Sequence, residues 1–459
     1  MKSWQTPFIL FALFAISAGG QTPLPDTISI EPPASTVSAQ AAAFSGAWFG
    51  TWDSELPTAL IVESVSSNGI ARVIYSWGDS AIFKAGWAGK TGHISNDNLQ
   101  LTTKNGPQIN FTFEPNGTLL GRYELPNTPP SFATLERVPS TNTAAIRVAA
   151  KRATRVRQIQ VREDGLRGTL FLPTGKGPWP GVIVLGGSDG GLPGSDAAFL
   201  AGKGDAALAL AYFHYEDLPN SLENIPLEYF QTAIHWLQAR KDIRHNNIAV
   251  LGVSRGGELA LLLGATFADI HPVVAISPSS VVWGGLGTNA NSDTQPAWTW
   301  RGKPLPFMDS SDLTHEQWKQ IIPLTKSDPL NYVPLFQAVL ANTAAVAKAS
   351  IPVEKINGPV LLVSGNDDKL WPSTQMADMV MKRLAKARHP FPDRHLAYPG
   401  AGHYIPLPNM PVSTNIFIHP IDKVKLEMGG DPEQTEAAGA DAWPRIVDFL
   451  NQRQDSGRH

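Results

Sequence analysis

A serine set between glycines is the first residue in this chain with the chemistry to break a covalent bond. Gly252-Val253-Ser254-Arg255-Gly256-Gly257 ends an apolar run, Ile248–Val253, and precedes another at 258–263, so a buried strand turns sharply into a helix around Ser254. At so tight a turn, Cβ atoms on either side would clash, which requires Gly252 and Gly256. The turn lifts the hydroxyl to the tip of the sheet, and the helix N-terminus favours negative charge developing there. A hydroxyl attacks only with a base, and the base needs an acid to orient it. Two later strand ends supply those types: residues 360–363 lead into Ser364-Gly365-Asn366-Asp367-Asp368-Lys369, and 395–398 lead into Pro399-Gly400-Ala401-Gly402-His403. Of the 11 histidines, His403 has this strand-to-loop setting, whereas His389 and His395 precede the strand and His214, His235 and His271 fall in the upstream core and helices. Asp367 and Asp368 share one turn; the third position after Gly365 favours Asp368 as the orienting acid, leaving Asp367 as a turn-forming or solvated carboxylate. Such a set performs nucleophilic acyl transfer.

The tetrahedral oxyanion of that reaction needs two backbone N–H donors. Arg255, directly after the nucleophile, provides one; the loop Gly186-Gly187-Ser188-Asp189-Gly190-Gly191 provides the other, with Ser188 as the candidate. The same loop could be read as a phosphate cradle, but it lacks both the Lys-Ser/Thr of a P-loop and a Gly-x-Gly-x-x-Gly spacing. The chain has no cysteine, which removes thiol nucleophiles, disulfides, Cys-ligated zinc and iron–sulfur clusters. No cofactor or metal is expected.

The elements that must hold these residues alternate strand, helix, strand beyond about Arg152. Residues 168–173, 181–185 and 206–212 read as strands, 197–203 starts a helix, and 227–240 carries Leu227, Phe230, Ile234 and Leu237 at helical spacing. This alternation predicts a doubly wound, mostly parallel α/β sheet over 152–459. Residues 44–138 differ: three Asn-Gly pairs, Asn68-Gly69, Asn105-Gly106 and Asn116-Gly117, separate strand-like runs, predicting a small all-β antiparallel sandwich or barrel. Its Trp48, Trp52, Trp77 and Trp87 suit a core better than a ligand-facing surface. Pro-rich 125–130 reads as leading out of this domain, and 139–151 as a linker.

At the start, Met1-Lys2, an apolar run at 8–16 and Ser17-Ala18-Gly19-Gly20 have the layout of a secretory signal over residues 1–20, predicting export to a periplasmic or extracellular location. Nine helical residues span about 14 Å, short of the roughly 30 Å of a bilayer core, so no stable membrane anchor is expected. Residues 21–43, rich in Pro, Ser and Ala, read as a flexible linker. A net charge of −3 gives no basic field for nucleic acid, and a small-molecule partner is expected, with the oligomeric state open.

Several runs then carry a family resemblance: Ala201-Gly202-Lys203-Gly204, Leu210 through Pro219, Leu227-Glu228-Tyr229-Phe230, Gly256-Gly257-Glu258-Leu259, Ile351-Pro352-Val353-Glu354, Gly402-His403-Tyr404, Gly429-Gly430 and Asp441-Ala442-Trp443. Over about 155–452 the chain resembles the C-terminal catalytic domain of the acyl-CoA thioester hydrolase and bile acid-CoA:amino acid N-acyltransferase family, a dienelactone-hydrolase-like α/β-hydrolase. The resemblance implies a Ser or Cys, Asp, His triad, which falls on Ser254, Asp368 and His403. It implies an acyl-CoA thioester as substrate, the export signal points instead to an oxygen ester, and a serine rather than a cysteine implies water as the acyl acceptor. Residues 44–138 do not match the immunoglobulin-like N-terminal domain of the animal members. About 280–350, with Trp283, Trp298, Trp300, Phe307 and Trp318, is either a lid over an acyl pocket or packing onto the sheet. The alternatives are a prolyl-oligopeptidase-like peptidase, and a non-catalytic lipid- or glycan-binding protein on a hydrolase scaffold.

Overall fold

The computed structural model describes residues 22–452, apart from 53–55, 79–84, 103–107, 115–116, 125–129, 154–155, 247, 288–291, 322–326, 409, 411 and 413. The expected signal segment 1–20 and the Asn105-Gly106 turn therefore lie outside the described residues. The rest separates into two compact units, one ending at Arg157 and the other beginning at Gln158.

The first unit is a closed barrel of eight strands: β1 (Gly46–Trp52), β2 (Leu56–Val65), β3 (Ile70–Trp77), β4 (Gly86–Ser95), β5 (Asn98–Thr102), β6 (Gln108–Phe113), β7 (Leu119–Glu124) and β8 (Ser131–Val138). Each strand pairs with the next, and β8 closes on β1. Gly69 ends the β2–β3 turn at φ +78°, where a Cβ would stand 2.5 Å from the Ile94 carbonyl oxygen, so only glycine fits. The β4–β5 turn is instead Asn96-Asp97, both left-handed at φ 47° and 61°, a hairpin that Asn-Gly pairs did not mark. Pro-rich 125–130 joins β7 to β8, so the expectation that it leaves the domain is corrected: an eighth strand is needed to cover the edge of β1.

Alternation along the strands sends Trp48, Trp52, Leu60, Val62, Val73 and Phe111 into the barrel, which their side chains fill. The Trp52 indole donates to Tyr75 Oη at 2.9 Å, and burial pushes that phenol up to about 12. Of the four tryptophans, Trp48 and Trp52 are buried and Trp87 is 46% exposed. Ala47, Phe49, Ile61 and Ile74 point the other way and meet Ile28, Ile146 and Ala150. Both expected linkers are thereby corrected. Within 22–43, Ile28 seals the outer face, while Val37 and helix α1 (Ala39–Ala43) pack against the inner core. Within 139–151, Asn142 Oδ1 accepts from the N–H groups of Ala144 and Ala145 and starts helix α2 (Thr143–Ala153), whose Ile146 and Ala150 are buried. A few isolated apolar residues show little periodicity, yet each removes a patch of the barrel wall from water.

The second unit is built on β9 (Val156–Val161), β10 (Arg167–Pro173), β11 (Gly181–Leu185), β12 (Ala206–Ala211), β14 (Ile248–Val253), β15 (Ile270–Ile276), β18 (Val360–Gly365) and β19 (Arg394–Tyr398). Their order across the sheet is β19-β18-β15-β14-β11-β12-β10-β9, with β10 antiparallel to β12 and the run β12-β11-β14-β15-β18-β19 parallel throughout. The chain runs outward from β11 to β12, then crosses back over β11 to β14, so right-handed crossovers put the connecting helices on opposite faces. Helices α4 (Leu227–Gln238), α5 (Arg255–Thr266) and α9 (Ser373–Ala387) bury Phe230, Leu259 and Val380 in one core. On the other face α3 (Gly194–Gly202) meets α10 (Pro432–Asn451) through an edge-to-face contact of Phe199 and Trp443 at 5.3 Å. β13 (Ile225–Pro226) pairs with β16 (Trp298–Trp300), and β16 with β17 (Lys303–Pro304). Helices α6 (His315–Ile321), α7 (Val333–Leu340) and α8 (Thr343–Ala349) complete the insertion between β15 and β18. A hairpin of β20 (Ile416–Ile418) and β21 (Lys425–Glu427) precedes α10.

Candidate active site

Ser254 stands at the end of β14 with φ 56° and ψ −119°, a conformation that non-glycine residues avoid unless their surroundings impose it. The surroundings are the flanking glycines. A Cβ on Gly252 would lie 1.9 Å from the Gly256 carbonyl oxygen, and one on Gly256 would lie 2.4 Å from that of Gly186. The Ser254 N–H donates to the Ile276 carbonyl at 2.9 Å, tying the turn to β15, and Ser254 caps α5, whose first residue is Arg255.

Asp368 and His403 meet at the ends of β18 and β19. His403 Nδ1 lies 2.8 Å from Asp368 Oδ2, and both side chains are buried. Asp368 is fixed in turn: Oδ2 accepts from Ser373 Oγ at 2.6 Å, and Oδ1 accepts from the N–H groups of Leu370 and Trp371 at 2.9 and 3.1 Å. A carboxylate so held keeps the imidazole in the Nδ1–H tautomer, with Nε2 left as acceptor. His403 Nε2 is buried and has no hydrogen-bond partner among the described residues. Its backbone is clamped as well, the carbonyl by Ser277 Oγ at 2.6 Å and the N–H by Met428 O at 2.8 Å. Asp367 is placed elsewhere, paired with Lys369 Nζ at 2.6 Å and accepting from the Gly430 N–H.

The loop that carries Ser188 lies against the nucleophile turn, where a Cβ on Gly187 would be 3.3 Å from Ser254 Cβ. Ser188, Ser254 and Arg255 all line one pocket of about 240 Å³. Its apolar wall comes from the insertion and from the loop after β18, with Trp283, Met308, Phe336, Val339 and Trp371 among the contributors. Trp283 packs edge-on against Phe336 at 4.8 Å, Phe336 against Trp371 at 5.8 Å, and Trp371 against the His403 ring at 5.9 Å. The insertion thus divides its aromatics: Trp283 faces the pocket, while Trp298 is core, fully buried beside Phe230 and Tyr212.

Three groups at this site escaped sequence reasoning. Glu258 is fully buried, accepts from the Trp298 indole at 2.8 Å and lies 3.4 Å from Arg255 Nη1; burial pushes its carboxyl up to about 7 against the pull of Arg255. The Arg255 guanidinium also donates to the carbonyls of Trp283 and Gly284, at 3.1 and 3.0 Å, so the residue after the nucleophile anchors the insertion. His419 lines the pocket together with Asp422. The only signal for it was a His-x-x-Asp spacing in a segment without periodicity.

The strand order, β10 set antiparallel to β12 at the end of the parallel run, and the strained Ser254 turn define the second unit as an α/β-hydrolase fold. The family model described as BAAT / Acyl-CoA thioester hydrolase C terminal matches residues 225–456, just over half of the chain, and the chain belongs to that family. Acyl-coenzyme A thioesterase 2, mitochondrial, of Mus musculus is 34% identical over 301 residues, covering 66% of this chain and 61% of that protein. Acyl-coenzyme A thioesterase 1 of Rattus norvegicus is 32% identical over 304 residues, 66% of this chain and 67% of that protein. The peroxisomal succinyl-coenzyme A thioesterase of Mus musculus is 31% identical over 313 residues, 66% of each. The chain therefore spans about two thirds or less of these relatives. Among solved structures, a dienelactone hydrolase-like promiscuous phosphotriesterase from metagenomic libraries is 18% identical, with a TM-score of 0.38 over 65% of this chain and 97% of that one.

Proposed function

We propose that this protein is an exported serine hydrolase that cleaves acyl esters or acyl thioesters through an acyl-enzyme intermediate. The Ser254 hydroxyl attacks the acyl carbonyl as His403 Nε2 takes its proton, and Asp368 stabilises the imidazolium so formed. The N–H groups of Arg255 and Ser188 receive the oxyanion. The imidazolium returns the proton to the departing alkoxide or thiolate, water enters against the same base, and the acid leaves. The observation that carries this reading is the Asp368–His403 hydrogen bond of 2.8 Å with a buried Nε2 that has no partner among the described residues, at the ends of strands that follow, along the chain, a serine in a strained turn. The relatives named as acyl-coenzyme A thioesterases support the acyl chemistry.

Hydrolysis of p-nitrophenyl acyl esters and of acyl-CoA thioesters, followed for the wild type and Ser254→Ala, tests it. The expected loss is about 10⁴-fold or more in kcat; equal rates in the two proteins overturn the assignment. Labelling of Ser254 by a fluorophosphonate separates it from a non-catalytic binding protein, and cleavage of esters but not aminoacyl amides separates it from a peptidase. Export rests on the amino-terminal pattern, and N-terminal sequencing of secreted protein is expected to begin near Gln21.

A further inference from the structure

Resting on that reading, we propose that His419 is a positioning residue that sets the Ser188 loop to receive the oxyanion. Three carbonyls of that loop are capped from two distant parts of the chain, the end of β12 and the hairpin before α10. The Tyr212 hydroxyl donates to Gly186 O at 2.7 Å, His214 Nδ1 lies 3.2 Å from Asp189 O, and His419 Nε2 lies 3.0 Å from Ser188 O. The Ser188 N–H has no hydrogen-bond partner among the described residues, and Ser188 lines the pocket with Ser254. One donor is thus kept open in a turn whose Gly186, Gly187, Ser188 and Asp189 carbonyls are all engaged. A donor held this way needs no reorganisation as charge develops.

His419 is built for that task. It is 2% exposed, and its two ring nitrogens face two oxygen acceptors, Nδ1 at 3.0 Å from Asp422 Oδ1 and Nε2 at 3.0 Å from Ser188 O; the Asp422 carboxylate fixes the ring plane and favours the form with both N–H groups, which donates to both oxygens at once. It closes β20 of the hairpin whose other strand ends one residue before Met428, the acceptor of the His403 N–H. One short segment therefore clamps the backbone of the base and the oxyanion loop, which lies 231 residues away in sequence from His419.

The test compares His419→Leu, which keeps bulk and removes the donor, with His419→Gln, whose Nε2 stands where the imidazole Nε2 stood. Active sites are counted by fluorophosphonate titration, and Ser254→Ala is run in parallel. His419→Leu is expected to lower kcat per titrated site about 100-fold with KM within about two-fold, and to weaken a trifluoromethyl ketone, which forms an oxyanion adduct, by a similar factor. His419→Gln is expected to recover most of both. Asp422→Asn is expected to give the same split in smaller measure, and it carries the test if His419→Leu does not fold. A kcat within three-fold of wild type in His419→Leu, or in Asp422→Asn where that variant stands in, overturns the inference. So does a loss that raises KM, spares the ketone, or is equal in His419→Gln. If the wild type has no Ser254-dependent turnover, the catalytic reading itself fails; if Ser254→Ala is inactive and His419→Leu is not impaired, only the positioning role fails.

Discussion

In the barrel the buried polar side chains are hydroxyls such as Thr58 and Ser76, whereas the interior of the α/β unit holds Arg255, Glu258, Asp368, His403 and His419. A buried hydroxyl is satisfied by one nearby carbonyl, as Thr58 Oγ1 is by Ser76 O at 2.9 Å. A buried ionisable group must be held by several partners or surrender its charge. The α/β unit supplies those partners from distant parts of the chain: Asp368 alone takes two backbone N–H groups, a serine hydroxyl and a histidine. In the barrel, interior polarity is minimal; where a proton must move, the interior carries charges that burial alone disfavours.

Four tests separate the two regimes. Asp368→Asn removes the charge behind His403 with little change of shape and is expected to lower kcat by about 10³ to 10⁴-fold, whereas Asp367→Asn leaves ester hydrolysis within a few-fold. An equal loss in both would erase the distinction between the two carboxylates. In the barrel, Trp48→Ala removes one of the two large indoles of the inner core and is expected to cost about 3 to 5 kcal/mol, read in urea unfolding, while kcat of the folded protein stays the same. Coupled loss of kcat at unchanged folding would show the regimes are not separate.

A third change probes how charge is tolerated near the site. Asp196 is pushed up to about 7 by burial and by the neighbouring Asp189 charge, from an ordinary value of 3.8. The folded chain then holds a proton there that the unfolded chain gives up, so its contribution to stability falls as pH rises from about 4 to 7. Asp196→Asn is expected to unfold at a higher temperature than wild type at pH 8, by roughly 1 kcal/mol after solvent screening, with the gap closing toward pH 4. A gap that widens on acidification would reverse the sign. Last, Trp87→Ala, at the 46% exposed barrel tryptophan, is expected to move stability by no more than about 0.5 kcal/mol; a larger loss would mean that face is not solvent-facing.

The sequence was most legible where structure is local. β11, β14 and their neighbours are continuous apolar runs, and their limits follow from hydropathy. Gly252 and Gly256 announced a tight turn because no other residue fits there. Left-handed Asn96-Asp97 was missed because its turn does without the glycine that marks such hairpins. The packed segments within 22–43 and 139–151 were missed because single residues such as Ile28 and Ile146 bury themselves without setting up a period.

Residue order alone determined that a serine would stand in a strained strand-to-helix turn, with an aspartate and a histidine on later strand ends, since a backbone that sharp selects glycine and buried parallel strands select apolar runs. Which carbonyls Arg255 anchors and how His419 reaches Ser188 were decided by the tertiary structure. Each depends on the three-dimensional register of strands that neighbour one another in the sheet but not in the chain, and hydrogen bonds a few ångströms long leave no trace in spacing along the sequence.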